Sequence, residues 1–105
     1  MGRVTAYAVL CIDKPDGTSE AKRKQHALAH LAYVETILDR ILVAGPLKAP
    51  DGPTQGSLLV FAVETEAEAK ALLEGDPYFA ADIWQSVAVY PYWGVAGQWV
   101  GGKTW

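Results

Sequence analysis

Hydrophobic and polar positions alternate in distinct ways along the chain, and the changes of period mark its elements. From Val4 to Ile12, aromatic and β-branched residues mix with small ones, and Val4, Tyr7, Val9 and Ile12 mark a strand that Asp13 ends. Lys14-Pro15-Asp16-Gly17 supplies turn chemistry, since proline fixes φ and glycine tolerates φ > 0. Ser19 then stands as a helix N-cap, and neither Gly nor Pro occurs from Glu20 to Arg40. Ala27, Leu31, Val34, Leu38 and Ile41 recur at spacings of four and three, which places them on one helical face. Lys24, Gln25, Glu35 and Asp39 fall on the opposite, solvent side.

Ile41 to Ala44 predicts a second strand, stopped by Gly45-Pro46, and the prolines and glycines up to Gly56 predict a loop. Ser57 to Val63 reads as a third strand. Thr65-Glu66-Ala67-Glu68 fits a capping box that starts a short helix through Leu73, with Gly75 placed to end it in the left-handed conformation. Asp76-Pro77 is a second start signal, a carboxylate at N-cap and proline at the first helical position, so a brief helical turn follows. Ser86 to Tyr92 alternates Val87, Val89 and Pro91 with Ala88, Tyr90 and Tyr92, a fourth strand. Gly94 to Val100 continues as an edge strand or a tail.

The order β-α-β-β-α-β predicts an α+β, ferredoxin-like domain: a four-stranded antiparallel sheet with two helices on one face. The other sheet face is then uncovered, and Trp84, Tyr90, Tyr92, Trp93, Trp99 and Trp105 add aromatic surface late in the chain. An apolar patch of that kind is too large for a soluble monomer, so a homodimer packed sheet against sheet is expected. No linker or repeat interrupts residues 1–105, which read as a single domain with a C-terminal extension from about residue 93.

Composition narrows the function classes. Nine basic against twelve acidic residues, with no run of Lys or Arg, lack the electrostatic footprint of a nucleic-acid binder. Apolar stretches fall far short of the roughly 20 residues a membrane span needs, and there is no signal-peptide core, so a cytoplasmic location is expected. The single cysteine, Cys11, excludes an intramolecular disulfide, and a central strand is a poor setting for a reactive thiol. GxxxxGK[ST], GxGxxG and GxSxG are all missing, so neither a nucleotide site nor a serine-hydrolase elbow is expected.

His30 is the first chemical candidate. It lies on the margin of the apolar stripe, with Arg23 two turns earlier, and an imidazole half in the core beside a cation is a tunable acid or base. The plain alternative is a histidine hydrogen-bonded at the core edge. His26 and His30 stand four apart, yet no third ligand accompanies them, so no metal site is assigned. Asp76 is the second candidate: a cap needs no catalytic role, but the same anchoring holds a carboxylate rigidly enough to orient an imidazole. Spacing leaves those two readings even. Gly45-Pro46 and Gly56-Ser57 flank the long loop, where glycine permits close backbone approach and Ser57 could donate to a substrate oxygen.

Taken in order, several segments resemble the YciI-like (YCII-related) family. They are Asp13-Lys14-Pro15, Arg23 ahead of Ala29-His30-Leu31, Ala44-Gly45-Pro46-Leu47, Gly56-Ser57-Leu58, Asp76-Pro77-Tyr78 with Ala80-Ala81, and Ser86-Val87-Ala88-Val89. The resemblance spans about residues 5–92 and implies a fold of the dimeric α+β barrel type, with a pocket centred on a histidine and an aspartate. By motif these map to His30 and Asp76. Where related sequences often carry Arg-Pro-Ala-His, this chain has Ala27-Leu28-Ala29-His30, and the stretch after Tyr92 runs past the family's usual end.

The resulting expectation is a cofactor-independent enzyme acting on a small cyclic oxygenated substrate by proton transfer, as elimination or isomerisation. His30 is the acid or base, Asp76 its orienting partner, and Tyr7, Arg23, Gly45, Pro46 and Ser57 are the substrate contacts. The resemblance supplies the analogy, since one relative removes HCl from a chlorinated hydroxyquinol and fold relatives isomerise muconolactone. The rivals are a noncatalytic ligand-binding or regulatory dimer using the same pocket, a purely structural dimer module, and a peroxide-handling role for Cys11.

Overall fold

The computed structural model describes residues 3–105, so the first two positions of the single-domain span lie outside the described residues. Strand β1 (Val4–Asp13) leads into helix α1 (Ser19–Thr36), a 3₁₀ turn over Leu38–Arg40, and the strands β2 (Ile41–Lys48) and β3 (Thr54–Phe61). Helix α2 (Glu66–Glu74) and the one-turn helix α3 (Pro77–Ala80) precede β4 (Trp84–Gly94). The four long strands form one antiparallel sheet in the order β2-β3-β1-β4, the ferredoxin-like arrangement.

Register decides which side chains face the helices. Tyr7, Val9 and Cys11 of β1 lie opposite Phe61, Leu59 and Ser57 of β3, and the odd-numbered residues of both strands share one face. There Val9, Cys11, Leu59 and Phe61 meet Ile37 of α1 and Ala69, Leu72 and Leu73 of α2, forming the core. The opposite face presents Ile12, Leu58, Tyr90 and Tyr92 at least one-third exposed, so the uncovered apolar face expected from the pattern is present. Trp84 is not part of it: its ring is buried in the core on the helix side.

Several boundaries differ from the expectation for physical reasons. Strand β2 runs through Gly45-Pro46 to Lys48 because it is the sheet's outer strand, where a missing proline N–H costs no ladder bond. Thr18, not Ser19, occupies the N-cap of α1, and the Ser19 hydroxyl instead donates to the Ile83 carbonyl at 2.7 Å. Gly75 ends α2 with φ −75°, not left-handed. Its lack of a side chain is needed by a neighbour, since a Cβ there would sit 2.6 Å from the Tyr33 hydroxyl. Thr65 caps α2 as expected, accepting from the Glu68 N–H at 3.1 Å.

The apolar stripe of α1 is rotated from its expected centre. Leu31 is 55% exposed and Leu38 58%, while Arg23, Ala27, His30, Tyr33 and Val34 are half-buried and Ile37 is fully buried. His30 therefore faces inward rather than along a margin. Beyond Gly94 the chain folds into a small hairpin, Ala96–Gly97 against Gly102–Lys103, with Trp99 and Trp105 exposed.

Candidate active site

Helix α1 does not close onto the sheet along its whole length. Between its inward face, strands β2 and β3, and the ends of α2 and α3 lies a cavity of about 420 Å³. Leu31 and the exposed residues Ala44, Gly45 and Pro46 of the outer strand form its rim, and His30, Asp76, Arg23, Ser57 and Thr54 bring polar groups to it.

Asp76 reaches the cavity because two local signals converge on it. It caps α3, accepting the Tyr78 N–H through Oδ1 at 2.9 Å, and Pro77 fills the first helical position, where no N–H is required. That anchorage leaves the carboxylate 4% exposed and fixed in direction. Nδ1 of His30 stands 2.9 Å from both Oδ1 and Oδ2. An ionised carboxylate only accepts, so against an ionised Asp76 the Nδ1 atom is the donor; Nε2 has no hydrogen-bond partner among the described residues.

The ring is fixed on its face as well as its edge. Tyr78 stacks on His30 with ring centroids 3.9 Å apart and planes 5° from parallel. The Tyr78 hydroxyl donates to the Arg23 carbonyl at 3.3 Å, tying α3 back to α1. The tripeptide Asp76-Pro77-Tyr78 thus supplies both an edge partner and a face partner for the same imidazole.

Arg23 is committed elsewhere by most of its charge. Its Nη1 and Nη2 donate to Asp13 Oδ2 and Oδ1 at 2.7 and 2.5 Å, with both side chains largely buried. Tyr33 lines the cavity but donates its hydroxyl to the Leu72 carbonyl at 2.6 Å, and burial pushes its pKa up. Burial, then the nearby Asp76 carboxylate, also pushes the Cys11 thiol up to about 12. Cys11 is fully buried and does not line the cavity.

The cavity lining therefore gathers His30, Asp76, Arg23, Gly45, Pro46 and Ser57, while Tyr7 packs against the core outside it. Close backbone approach holds at Gly56, where a Cβ would lie 2.2 Å from the Cys11 carbonyl oxygen, and not at Gly45, which has open space. Sequence reasoning missed Tyr33, Thr54 and the stacking of Tyr78. Tyr33 carried a usable signal, since it lies three residues from His30 and hence on the same helical face.

The chain as a whole matches a known family. The YCII-related domain matches residues 5–93. The chain belongs to that family. Protein YciI of Escherichia coli O6:H1 (strain CFT073) is 34% identical over 94 residues, covering 82% of this chain and 94% of the relative. Among solved structures, 5-chloro-2-hydroxyhydroquinone dehydrochlorinase (TftG) from Burkholderia phenoliruptrix AC1100, in complex with 2,5-dihydroxybenzoquinone, superposes with a TM-score of 0.75 at 26% identity. That match covers 89% of this chain and 96% of TftG. A Nitrosomonas europaea protein of unknown function shares the fold at a TM-score of 0.52 and 22% identity, covering 92% of this chain and 93% of its own. The YCII-related match ends at residue 93, one residue before the end of β4, and leaves the C-terminal hairpin outside it.

Proposed function

We propose that this YCII-related protein is a cofactor-independent enzyme that moves a proton on a small cyclic oxygenated substrate, with His30 as the base and Asp76 as its orienting partner. The observation that carries this reading is the two-oxygen contact of a buried, capped carboxylate with His30 Nδ1. With the proton held on Nδ1, Nε2 is the free basic nitrogen. It takes a proton from a carbon of the substrate ring, and Asp76 stabilises the imidazolium that forms. In an elimination from a hydroxyquinol, the ring reacts as its diketo tautomer, in which two adjacent carbons are tetrahedral: the C–H electron pair becomes a new π bond while the leaving group on the next carbon departs with its own electrons as an anion. In an isomerisation, His30 returns the same proton to a different ring carbon. Ser57 and the Arg23 edge hold a substrate oxygen, and Gly45 and Pro46 form the rim through which the substrate enters.

Two further parts of the reading concern assembly and chemistry. The exposed sheet face carrying Ile12, Leu58, Tyr90 and Tyr92 is the surface on which two copies pair, sheet against sheet. The dehydrochlorinase TftG suggests a halogenated hydroxyquinol as the first substrate to try.

The test is chloride release from 5-chloro-2-hydroxyhydroquinone by the wild-type protein and by His30→Gln. Turnover should fall at least about a hundredfold in the variant, the usual contribution of a positioned acid–base group. Equal turnover in both proteins would remove His30 from the chemistry. Binding of the substrate with no release of chloride by either would favour a ligand-binding module.

A further inference from the structure

The proposed proton transfer uses only one half of the cavity. Helix α1 and strand β3 run along it in the same direction, and their lining residues sort by position. Arg23 on α1 and Thr54 and Ser57 on β3 bring polar groups from the earlier halves of the two elements, and His30, two-thirds of the way along α1, stands at the boundary. Past the dyad the walls become Val34, Ile37, Phe61 and, from neighbouring elements, Ile41, Leu72 and Leu73. Ile41 pairs with Phe61 and Pro46 with Ser57, so β2 follows the same division. The rise from His30 to Ile37 is about 10 Å, and Ser57 to Phe61 spans about 13 Å of strand.

Size and polarity both bear on what occupies that second half. A dry apolar cavity of about 150 Å³ already holds benzene, and this one, open along its rim, offers about 420 Å³. A bare monocyclic ring at His30 would leave most of it empty. The one hydroxyl in the apolar half, that of Tyr33, has its proton committed to the Leu72 carbonyl. Val34 and Ile41 stay only half-buried although they face the core side, as expected of walls awaiting an apolar group.

We infer that the substrate is amphiphilic: an oxygenated ring at the His30–Asp76 dyad bearing an apolar substituent several carbons long that runs between α1 and β3 toward Ile37 and Phe61. This rests on the dyad marking the reactive end, and it names the substrate class for that site.

A series of 4-alkylcatechols, from catechol through 4-methylcatechol and 4-propylcatechol to 4-pentylcatechol, tests it, with binding read from the ring-proton resonances of His30. Affinity should rise about fourfold for each added methylene, the value of burying one CH₂. In Ile41→Phe and in Val34→Phe, which fill the apolar half, the gain per methylene should collapse. Affinities that stay level or fall along the series would overturn the inference, as would a gain that persists in both filled variants. Its failure is separable from that of the dyad reading. ¹⁵N shifts of His30 that show no preference for the Nδ1–H tautomer would sink the dyad whatever the alkyl series gives. A fixed tautomer with flat affinities would sink the amphiphilic substrate alone.

Discussion

Two carboxylates, Asp76 buried and Asp13 largely so, stand on the helix side of this sheet, each engaged through both oxygens by a side chain of α1, and their partners differ in kind. Asp13, at the irregular end of β1, is held by the Arg23 guanidinium at 2.5 and 2.7 Å. Asp76 meets the His30 imidazole at 2.9 Å from each oxygen. Arginine stays charged at any ordinary pH, so the first pair is a fixed tie between β1 and α1. Imidazole can take or give a proton at its second ring nitrogen, which a guanidinium does not do. Exposure follows the same division. Asp13 and Arg23 are 12% and 14% exposed, a matched and closed pair, whereas His30 is 22% exposed over an Asp76 at 4%. In the proposed reading, one pair holds and the other reacts.

Breaking the holding pair should have the largest effect. Arg23→Ala leaves the Asp13 carboxylate buried without a counter-charge, and removing one member of such a pair typically costs about 3–5 kcal/mol. Urea denaturation should show that loss, and adding Asp13→Asn in the same chain should recover much of it. His30→Gln should cost far less stability, because a neutral amide leaves Asp76 still accepting the Tyr78 N–H. Equal losses in the two variants would erase the distinction between the pairs.

The next largest effect lies in alkaline solution, at a group that feels both pairs. Cys11 is raised to about 12, first by burial, then by Asp76, with Arg23 lowering it and Asp13 raising it. Its unfolded value is near 9, so between pH 9 and 12 the unfolded state binds fewer protons than the folded one. Stability must then fall as pH rises through that window, by at most about 1.4 kcal/mol per unit from this thiol. Tyr33 and Tyr78, both raised chiefly by burial, add to the slope above pH 10. Denaturation at pH 8 and at pH 10.5 measures the slope, and Cys11→Ala should flatten it. The same burial keeps the thiol un-ionised near neutrality, which argues against peroxide chemistry at Cys11.

How far the two pairs could be read in advance follows from what fixed each. Asp76 was legible as a cap because Asp-Pro before a helical turn is local chemistry. The strands and helices were legible because period and turn residues act over a few positions. His30 facing Asp76, 46 residues away, was suggested by family motif and not by spacing, since only the packing of α3 on α1 joins them. The Arg23–Asp13 tie had no local signal. It needs β1 and α1 to be antiparallel neighbours, which is a property of the assembled sheet. The rotated stripe of α1 failed for a different reason: a helix that roofs a cavity is half-buried on the face it turns to that cavity. Leu31, placed in the core by periodicity, ends at the rim, and Leu28 is 86% exposed. Likewise Gly45-Pro46 reads as a stop to β2, because position at the sheet edge is invisible until strand order is known.

A smaller effect separates the two roles of Asp76. Asp76→Ala removes the cap of α3, worth about 1 kcal/mol, and with it the acceptor at His30 Nδ1. Asp76→Asn keeps a capping oxygen and should restore most of the stability, while leaving an amide that no longer demands a proton on Nδ1. ¹⁵N spectra of the His30 ring should then show a mixture of tautomers where the wild type shows one. Full recovery of both stability and tautomer in Asp76→Asn would mean that the carboxylate serves only as a cap.

The smallest effect sharpens the comparison most, because it touches the face of the imidazole and neither carboxylate. Parallel stacking of Tyr78 on His30 is worth about 0.5–1.5 kcal/mol beyond the area it buries, and the guanidinium of Arg23 has no counterpart to it among the described residues. Tyr78→Phe keeps the ring and loses only the long hydroxyl contact to the Arg23 carbonyl at 3.3 Å, so its stability should stay within a few tenths of the wild type. Tyr78→Leu removes the stack, and stability should drop by about 1 kcal/mol. The readout a purely structural role would not move is the ring itself. In Tyr78→Leu the His30 side-chain resonances should broaden or shift as the imidazole turns about χ2, while Asp76 still caps the backbone N–H of residue 78. Chloride release should fall more in Tyr78→Leu than in Tyr78→Phe, because a base that swings away from the substrate carbon loses rate even with its proton correctly placed. If the two variants match in spectra and in rate, the stacked ring is only packing, and the orientation of His30 belongs to Asp76 alone.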